Sequence, residues 1–252
     1  MTYCLAVTVD DGLVFASDSR TNAGVDQIST FSKMHRFLGN GERVFVLLSA
    51  GNLATTQAVV TRLKRDIEKG AEKSLATVEH LSEAAEYVGE INREEQKKHS
   101  VDKKEGFKPD ASFILGGEIA GRPPSIFHVY PEGNFIRAAE RTPFLQIGEL
   151  KYGKPILDRI ISADMDLEDV ARCAIVSMDS TMRSNVTVGP PIEVLIYRSG
   201  TMEPGRHVVL GEDDEYLRTL RVAWQESLRK AFNELPKLRR LTASVRLVDE
   251  QK

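Results

Sequence analysis

Residues 2–18 read TYCLAVTVDDGLVFASD, and the fold turns on them. Tyr3, Leu5, Val7 and Val9 alternate with the smaller Cys4, Ala6 and Thr8, which is the two-residue period of a β-strand. Asp11-Gly12 supplies a tight hairpin turn before a second apolar run. With Asp11 and Gly12 as the loop residues, Asp10 faces Leu13, Leu5 faces Asp18 and Thr2 faces Thr21. The hairpin therefore carries Asp18 back towards the N-terminus. Thr2 directly follows Met1, which aminopeptidases usually remove before so small a residue. Removal leaves Thr2 with a free α-amine beside its hydroxyl. Many cytosolic chains begin this way without consequence, so the pair becomes informative only through its surroundings.

Outward from this hairpin, QISTFSKMHRF (27–37) and RVFVLLSAG (43–51) flank the turn LGNGE and form a second one. Parity sets Phe31, Lys33, His35 and Phe37 on one face, and Lys33 is the odd member of that row. From Asn52, a good N-cap, the period changes to 3.6: Thr56, Val59, Val60, Leu63 and Ile67 mark a helical face that ends at Gly70. Val78, Leu81, Ala85, Val88 and Ile91 mark a second helix. Residues 93–110, dense in charge and weakly periodic, read as a solvated helix end and loop. ASFILGGEI, SIFHVY, NFIRAA and FLQIGE then read as strands of a second sheet, separated by Gly and Pro signals. KPILDRII and LEDVARCAIVSMDSTMRS read as helices, PIEVLIYRSG and RHVVLG as strands. A last helix, about 213–235, lines up Leu217, Leu220, Trp224, Leu228 and Ala231 as a core or oligomer face and closes at Pro236. Two consecutive helices after two hairpins suit a layer laid across a sheet. The expected fold is α+β, a four-layer αββα sandwich. Residues 1–252 form one domain in this reading, with a core over about 2–210 and a C-terminal helical extension over about 211–252.

Composition narrows the function classes. The chain has 252 residues, 41% hydrophobic and 28% charged, as in soluble globular proteins. Its 34 basic and 37 acidic residues are interspersed, with a formal net charge of −3, so no basic field awaits a nucleic acid. Cys4 and Cys173 form neither a disulfide framework nor a CxxC site, which fits a reducing compartment. No apolar run approaches the ~18 residues of a membrane span, and the N-terminus lacks signal-peptide character. A cytoplasmic protein, without membrane or nucleic-acid partners, is expected. His35, His128 and His207 are scattered without metal-ligand spacing, so neither a metal nor a cofactor is expected. Ser49 lies in no GxSxG elbow, and Cys4 reads as a small core residue.

A threonine hydroxyl attacks a carbonyl only if a base takes its proton. A freed α-amine, with a pKa of about 7.7–8.0, titrates close to cellular pH, whereas a lysine amine at about 10.4 stays protonated. A cation beside the hydroxyl lowers the cost of the alkoxide, and a carboxylate fixes that cation. Thr2, Lys33 and Asp18 fit these roles, and Gly51, between a strand and a helix start, is placed to offer its N–H to an oxyanion. Each residue alone has an ordinary structural explanation; together they shift the balance.

The opening strand pair, the FSKMHRF strand and the SAGNLAT turn resemble the β-subunits of the proteasome and the related bacterial protease HslV, members of the N-terminal nucleophile hydrolases. The bacterial ancestral β-subunits are most alike, since the length and the extended C-terminal helix also fit. The resemblance covers roughly residues 2–200. It implies the N-terminal nucleophile hydrolase fold, a nucleophile at Thr2, a carboxylate at Asp18, a cation at Lys33 and an oxyanion donor at Gly51. The Thr2–Lys33 interval is one residue shorter than the family's, a difference the loop TNAGVDQ absorbs. Where the family has a serine supporting the nucleophile's amine, this chain has Glu149 after Gly148. The family's late Asp and Ser have no literal match; Ser184 and Thr187 hold the spacing with hydroxyls. The implied activity is that of a threonine peptidase subunit that needs Met1 removed. Ring or open-spiral homo-oligomers would enclose its sites, taking peptides or unfolded chains, with an unfoldase or adaptor as a further partner. Two alternatives stand beside it: an amidase for non-peptide or isopeptide amides, and an inactive assembling scaffold. Scaffold-type subunits carry an extension before the first strand that this sequence does not show.

Overall fold

In the computed structural model, residues 1–22, 28–38, 41–99 and 108–238 are described. The first of two compact units runs from Met1 to Asp214. Its strands β1 (Tyr3–Val9), β2 (Gly12–Asp18), β10 (Phe144–Gly148), β11 (Ile192–Arg198) and β12 (Arg206–Leu210) form one sheet, ordered β10-β1-β2-β11-β12. A second sheet holds β5 (Met34–Leu38), β6 (Arg43–Gly51), β7 (Ala111–Ile119), β8 (Ser125–Val129) and β9 (Phe135–Arg137) in sequence order. β3 (Arg20–Asn22) and β4 (Ile28–Thr30) make a separate ribbon. The four strands expected to make a second sheet are thus divided: β7–β9 extend the second hairpin, whereas β10 returns to pair with β1.

Side-chain alternation builds the layers. Cys4 and Ala6 on β1 and Leu13 and Phe15 on β2 point between the sheets, against Val44, Val46 and Leu48 of β6. The opposite face of β6, with Phe45 and Leu47, meets Val59, Val60 and Leu63 of α1 (Leu53–Glu68) and Ala84, Val88 and Ile91 of α2 (Leu81–His99). On the other side, α4 (Leu167–Ser184) packs on β1, β2 and β11, with α3 (Lys154–Ile160) beside it. The result is the expected αββα sandwich. Helix ends follow local chemistry: Asn52 accepts the Thr55 N–H at 3.2 Å, and Asp166 accepts those of Glu168 and Asp169 at 2.9 Å. The second unit begins at Glu215 and contains α5 (Glu215–Glu234), which ends before Pro236.

Two expectations are corrected. The first hairpin pairs Val9 with Gly12 and Cys4 with Ser17, so the turn is Asp10-Asp11 and Asp18 reaches the level of Tyr3, not Leu5. Gly12 serves β11 rather than the turn. Its φ is +148°, and a Cβ there would lie 2.1 Å from the Tyr197 carbonyl oxygen. The shift is two residues, so every side chain keeps its face. Second, the strand read across 27–37 is broken at Phe31–Lys33. The Phe31 N–H turns to the Ser19 carbonyl (2.9 Å), and Ser32 Oγ donates to the Met34 carbonyl (3.0 Å). Phe31, Lys33 and His35 nevertheless line one cleft, while Phe37 packs in the core beneath α1 and α2. The loop 23–27, turn residues 39–40, 100–107 of the charged stretch and 239–252 lie outside the described residues.

Candidate active site

Asp18 ends β2 with no exposed surface. Its Oδ1 accepts the Tyr3 N–H at 3.0 Å and a proton of the Lys33 ammonium at 2.6 Å, while Oδ2 accepts the Gly189 N–H at 3.3 Å. Lys33 lies just before β5. Its Nζ also donates to the Arg20 carbonyl at 2.8 Å. Burial raises the Asp18 carboxyl above its ordinary value, against the opposing pull of Lys33 and the two backbone N–H groups. A single carboxylate oxygen thus joins the ammonium to the backbone of the residue after Thr2.

Thr2 is half-buried at the start of β1. Its carbonyl accepts the Glu149 N–H at 2.7 Å, and Tyr3 pairs with Gly148. Gly148, at φ +86°, lets β10 pass there: a Cβ would lie 2.0 Å from the Thr2 carbonyl oxygen. Thr2, Arg20, Lys33, His35, Ser49 and Gly51 line one cleft of about 170 Å³. Ser49 N–H donates to Lys33 at 3.0 Å on the β5 side, and Asn52 N–H to Asp110 at 2.9 Å on the β7 side. Alternation then turns the Gly51 N–H to the β5 side, opposite the break where that strand has ended. Gly51 has φ +113°, and a Cβ would sit 2.3 Å from the Asp110 carbonyl oxygen. This glycine is required by the backbone of β7 as much as by the cleft.

Met1 precedes Thr2, so the nitrogen of Thr2 is in peptide linkage and the free amine belongs to Met1. Burial and the nearby Lys33 lower that amine below its ordinary value of 8.0, while Asp18 and Glu149 pull the other way.

Residues 2–197 match the sequence profile of the proteasome subunit family. The chain belongs to that family. Among solved structures, Anbu (ancestral β-subunit) from Yersinia bercovieri is 46% identical over 94% of this chain and 98% of that one, with a TM-score of 0.88. An Anbu Gly-1 mutant from Hyphomicrobium sp. strain MC1 is 46% identical over 94% and 99%, with a TM-score of 0.88. A helical assembly of the Anbu complex from Pseudomonas aeruginosa gives 45% identity over 94% and 98%, with a TM-score of 0.89. A search of curated proteins gave no match.

The remaining expected residues of this proteasome-family chain are divided. Ser184 is exposed in the last turn of α4, and among the described residues no hydrogen bond joins it to Asp18, Lys33 or Glu149. Thr187 is half-buried and donates its Oγ1 proton to Asn185 Oδ1 at 2.6 Å. The buried polar residue at the end of α4 is therefore Asn185, whose amide donates to Glu149 Oε2 at 3.0 Å. Sequence reading missed Asn185 because the family spacing drew it to the flanking hydroxyls. The signal was present: Asn185 is the C-cap of α4 and precedes a loop that must return to β11. Around the cleft, burial lowers His35 to about 4, leaving it neutral near pH 7, with Nε2 3.4 Å from Ser49 Oγ. His207 lies apart, 3.0 Å from Glu193, and His128 stacks on Tyr130. Among the described residues no group of three His, Cys, Asp or Glu side chains is arranged to hold a metal. Burial pushes the Cys4 thiol up. No described helix is long and apolar enough to cross a membrane.

Proposed function

We propose that the chain is a threonine peptidase subunit whose nucleophile is Thr2, exposed by removal of Met1. The observation that carries the reading is the 2.6 Å Lys33–Asp18 pair, buried and locked through Asp18 to the Tyr3 N–H, one residue from the nucleophile. In this mechanism the freed α-amine takes the Thr2 Oγ1 proton as the oxygen attacks a peptide carbonyl. The Lys33 ammonium favours the developing alkoxide, and the Gly51 N–H receives the oxyanion. Collapse passes the amine's proton to the leaving group and leaves an ester on Thr2. Water, deprotonated by the same amine, then hydrolyses the ester. The steps conserve protons without a metal or cofactor.

Assembly is part of the proposal: homo-oligomers, ring or open spiral, would confine the clefts and admit peptides or unfolded chains. The support is the likeness to Anbu structures, among them the helical assembly of the Anbu complex from Pseudomonas aeruginosa. A cytoplasmic site of action and an unfoldase or adaptor partner belong to the same reading. The test begins with intact mass to establish that Met1 is gone, followed by turnover of short peptides and trapping of an acyl adduct. The adduct should map to Thr2 and vanish in Thr2→Ala. A processed protein that acylates elsewhere, or nowhere, refutes the proposal and favours the scaffold; an adduct from small amides but not peptides favours the amidase.

A further inference from the structure

Glu149 occupies the place where the family resemblance implies a hydroxyl. It lies just after β10, is only 8% exposed, and has no ion-pair partner among the described residues. Its Oε1 accepts the Lys151 N–H at 3.2 Å and its Oε2 accepts the Asn185 amide at 3.0 Å. The direction of that amide is fixed from behind, because Asn185 Oδ1 accepts both the N–H of Thr187 (3.1 Å) and its hydroxyl (2.6 Å). The NH2 end must then face Glu149. Two hydrogen bonds hold the carboxylate in place, and the Glu149 backbone N–H grips the Thr2 carbonyl at 2.7 Å.

The charges that act on the N-terminal amine of Met1 come from three elements, Lys33 before β5, Asp18 on β2 and Glu149 after β10, and the Asn185 amide that donates to Glu149 also lies 4.0 Å from the Met1 sulfur. Lys33 and Asp18 compensate each other at 2.6 Å. Arg20, also in the cleft, donates to the Val186 carbonyl at 2.8 Å, and among the described residues no cation forms an ion pair with Glu149. A buried carboxylate without a counter-ion is costly, and the cation that can balance it here is the ammonium formed when the α-amine accepts a proton.

We propose that Glu149, aimed by Asn185 and Thr187, is a positioning residue for the α-amine of Thr2. Its carboxylate accepts from that amine, directs it beside the hydroxyl, and favours the ammonium that forms as Thr2 Oγ1 gives up its proton. No proton is taken by Glu149; the one received by the amine leaves with the departing amine of the substrate. This inference rests on the proposed function for its catalytic meaning, but the charge coupling is measurable without turnover.

The test uses full-length protein with Met1 removed, labelled with 15N-threonine, and follows the α-amine resonance of Thr2 through its titration. Glu149→Gln keeps the shape and an acceptor for Asn185 but removes the charge; the amine's midpoint should fall by about one unit. Glu149→Asp keeps the charge and should retain most of the wild-type midpoint, although it packs less well. Where the protein turns over, the rise of kcat/KM with pH should move in Glu149→Gln by the same amount. A Glu149→Gln midpoint equal to wild type overturns the proposal, as does a Glu149→Asp midpoint as low as that of Gln. If Gln does not fold, Glu149→Ser, which also removes the charge, should lower the midpoint by the same amount, and a Ser midpoint equal to wild type overturns the proposal. A shifted midpoint in a protein that acylates nothing supports this inference while refuting the peptidase reading.

Discussion

Replacing Lys33 by methionine should destabilise the protein in a manner that depends on pH, and the size follows from what surrounds Asp18. The methionine fills the space of the lysine stem, so packing is largely kept. Asp18, with no exposed surface, is left with the Tyr3 N–H at 3.0 Å and the Gly189 N–H at 3.3 Å. Breaking a buried pair by removing one partner costs about 3–5 kcal/mol. Asp18 can limit that cost by taking a proton. An unfolded carboxyl titrates at about 3.9, so holding the proton at pH 7 costs about 3.1 × 1.36, or about 4 kcal/mol. The sign follows from proton counting. Without Lys33 the folded value of Asp18 rises further above the unfolded one, so the folded state binds more protons and stability falls as pH rises between the two values. Lys33→Met should therefore lose about 3–4 kcal/mol near pH 7 and progressively less as pH drops towards 4, judged by denaturant unfolding. The double variant Asp18→Asn, Lys33→Met has no stranded charge and should regain most of the loss, yet it should remain unable to acylate. Equal destabilisation of Lys33→Met at pH 7 and near pH 5, or a double variant as unstable as the single one, would refute the assigned burial and pairing.

Three other outcomes are expected. Gly51→Ala meets the Asp110 carbonyl at 2.3 Å from a φ of +113°; it should cost about 1–3 kcal/mol in thermal or chemical unfolding and slow acylation of Thr2 more than it weakens peptide binding. The pH profile of kcat/KM should rise as the amine loses its proton, and if Thr2, once Met1 is removed, inherits the burial and the nearby Lys33 that lower the Met1 amine, half-maximal activity should fall below 8.0; a midpoint above 8.0 contradicts that inheritance. Tyr3→Phe removes the hydroxyl that bridges Ser177 (2.6 Å) and Gln146 (2.7 Å), and should cost about 1–3 kcal/mol in urea unfolding without moving the amine's titration.

The parts of this architecture that were legible in the sequence share one property: the information is local or periodic. Helix α4 was readable from its acidic start and its apolar face, and it runs over the expected Leu167–Ser184. The strands β7, β8 and β10 were readable because Gly and Pro interrupt them. What could not be read was which strands pair, since β10 joins β1 only through contacts more than a hundred residues apart in the chain. The sheet membership of β10 is nevertheless what brings Glu149 to Thr2.

The register error in the first hairpin leaves Asp18 on its expected face. Moving the turn from Asp11-Gly12 to Asp10-Asp11 slides β2 by two residues, one full pleat repeat, so Asp18 changes its opposite partner but not its face. A slip of one residue would have sent it to the other side of the sheet. The actual slide brings Asp18 opposite Tyr3, where its Oδ1 can take both the Tyr3 N–H and the Lys33 ammonium. Opposite Leu5, two residues further along β1, the carboxylate would be about 7 Å farther from the N-terminus, out of reach of the Tyr3 N–H. The glycine that looked like the turn residue instead serves the pairing of β2 with β11, because Gly12 admits the Tyr197 carbonyl so closely that a residue with a Cβ would collide with it. The level of the carboxylate along β1 is therefore set by the pairing of Val9 with Gly12 and of Cys4 with Ser17, a register that hydrophobic alternation alone does not encode, since a slide of two residues leaves every face unchanged.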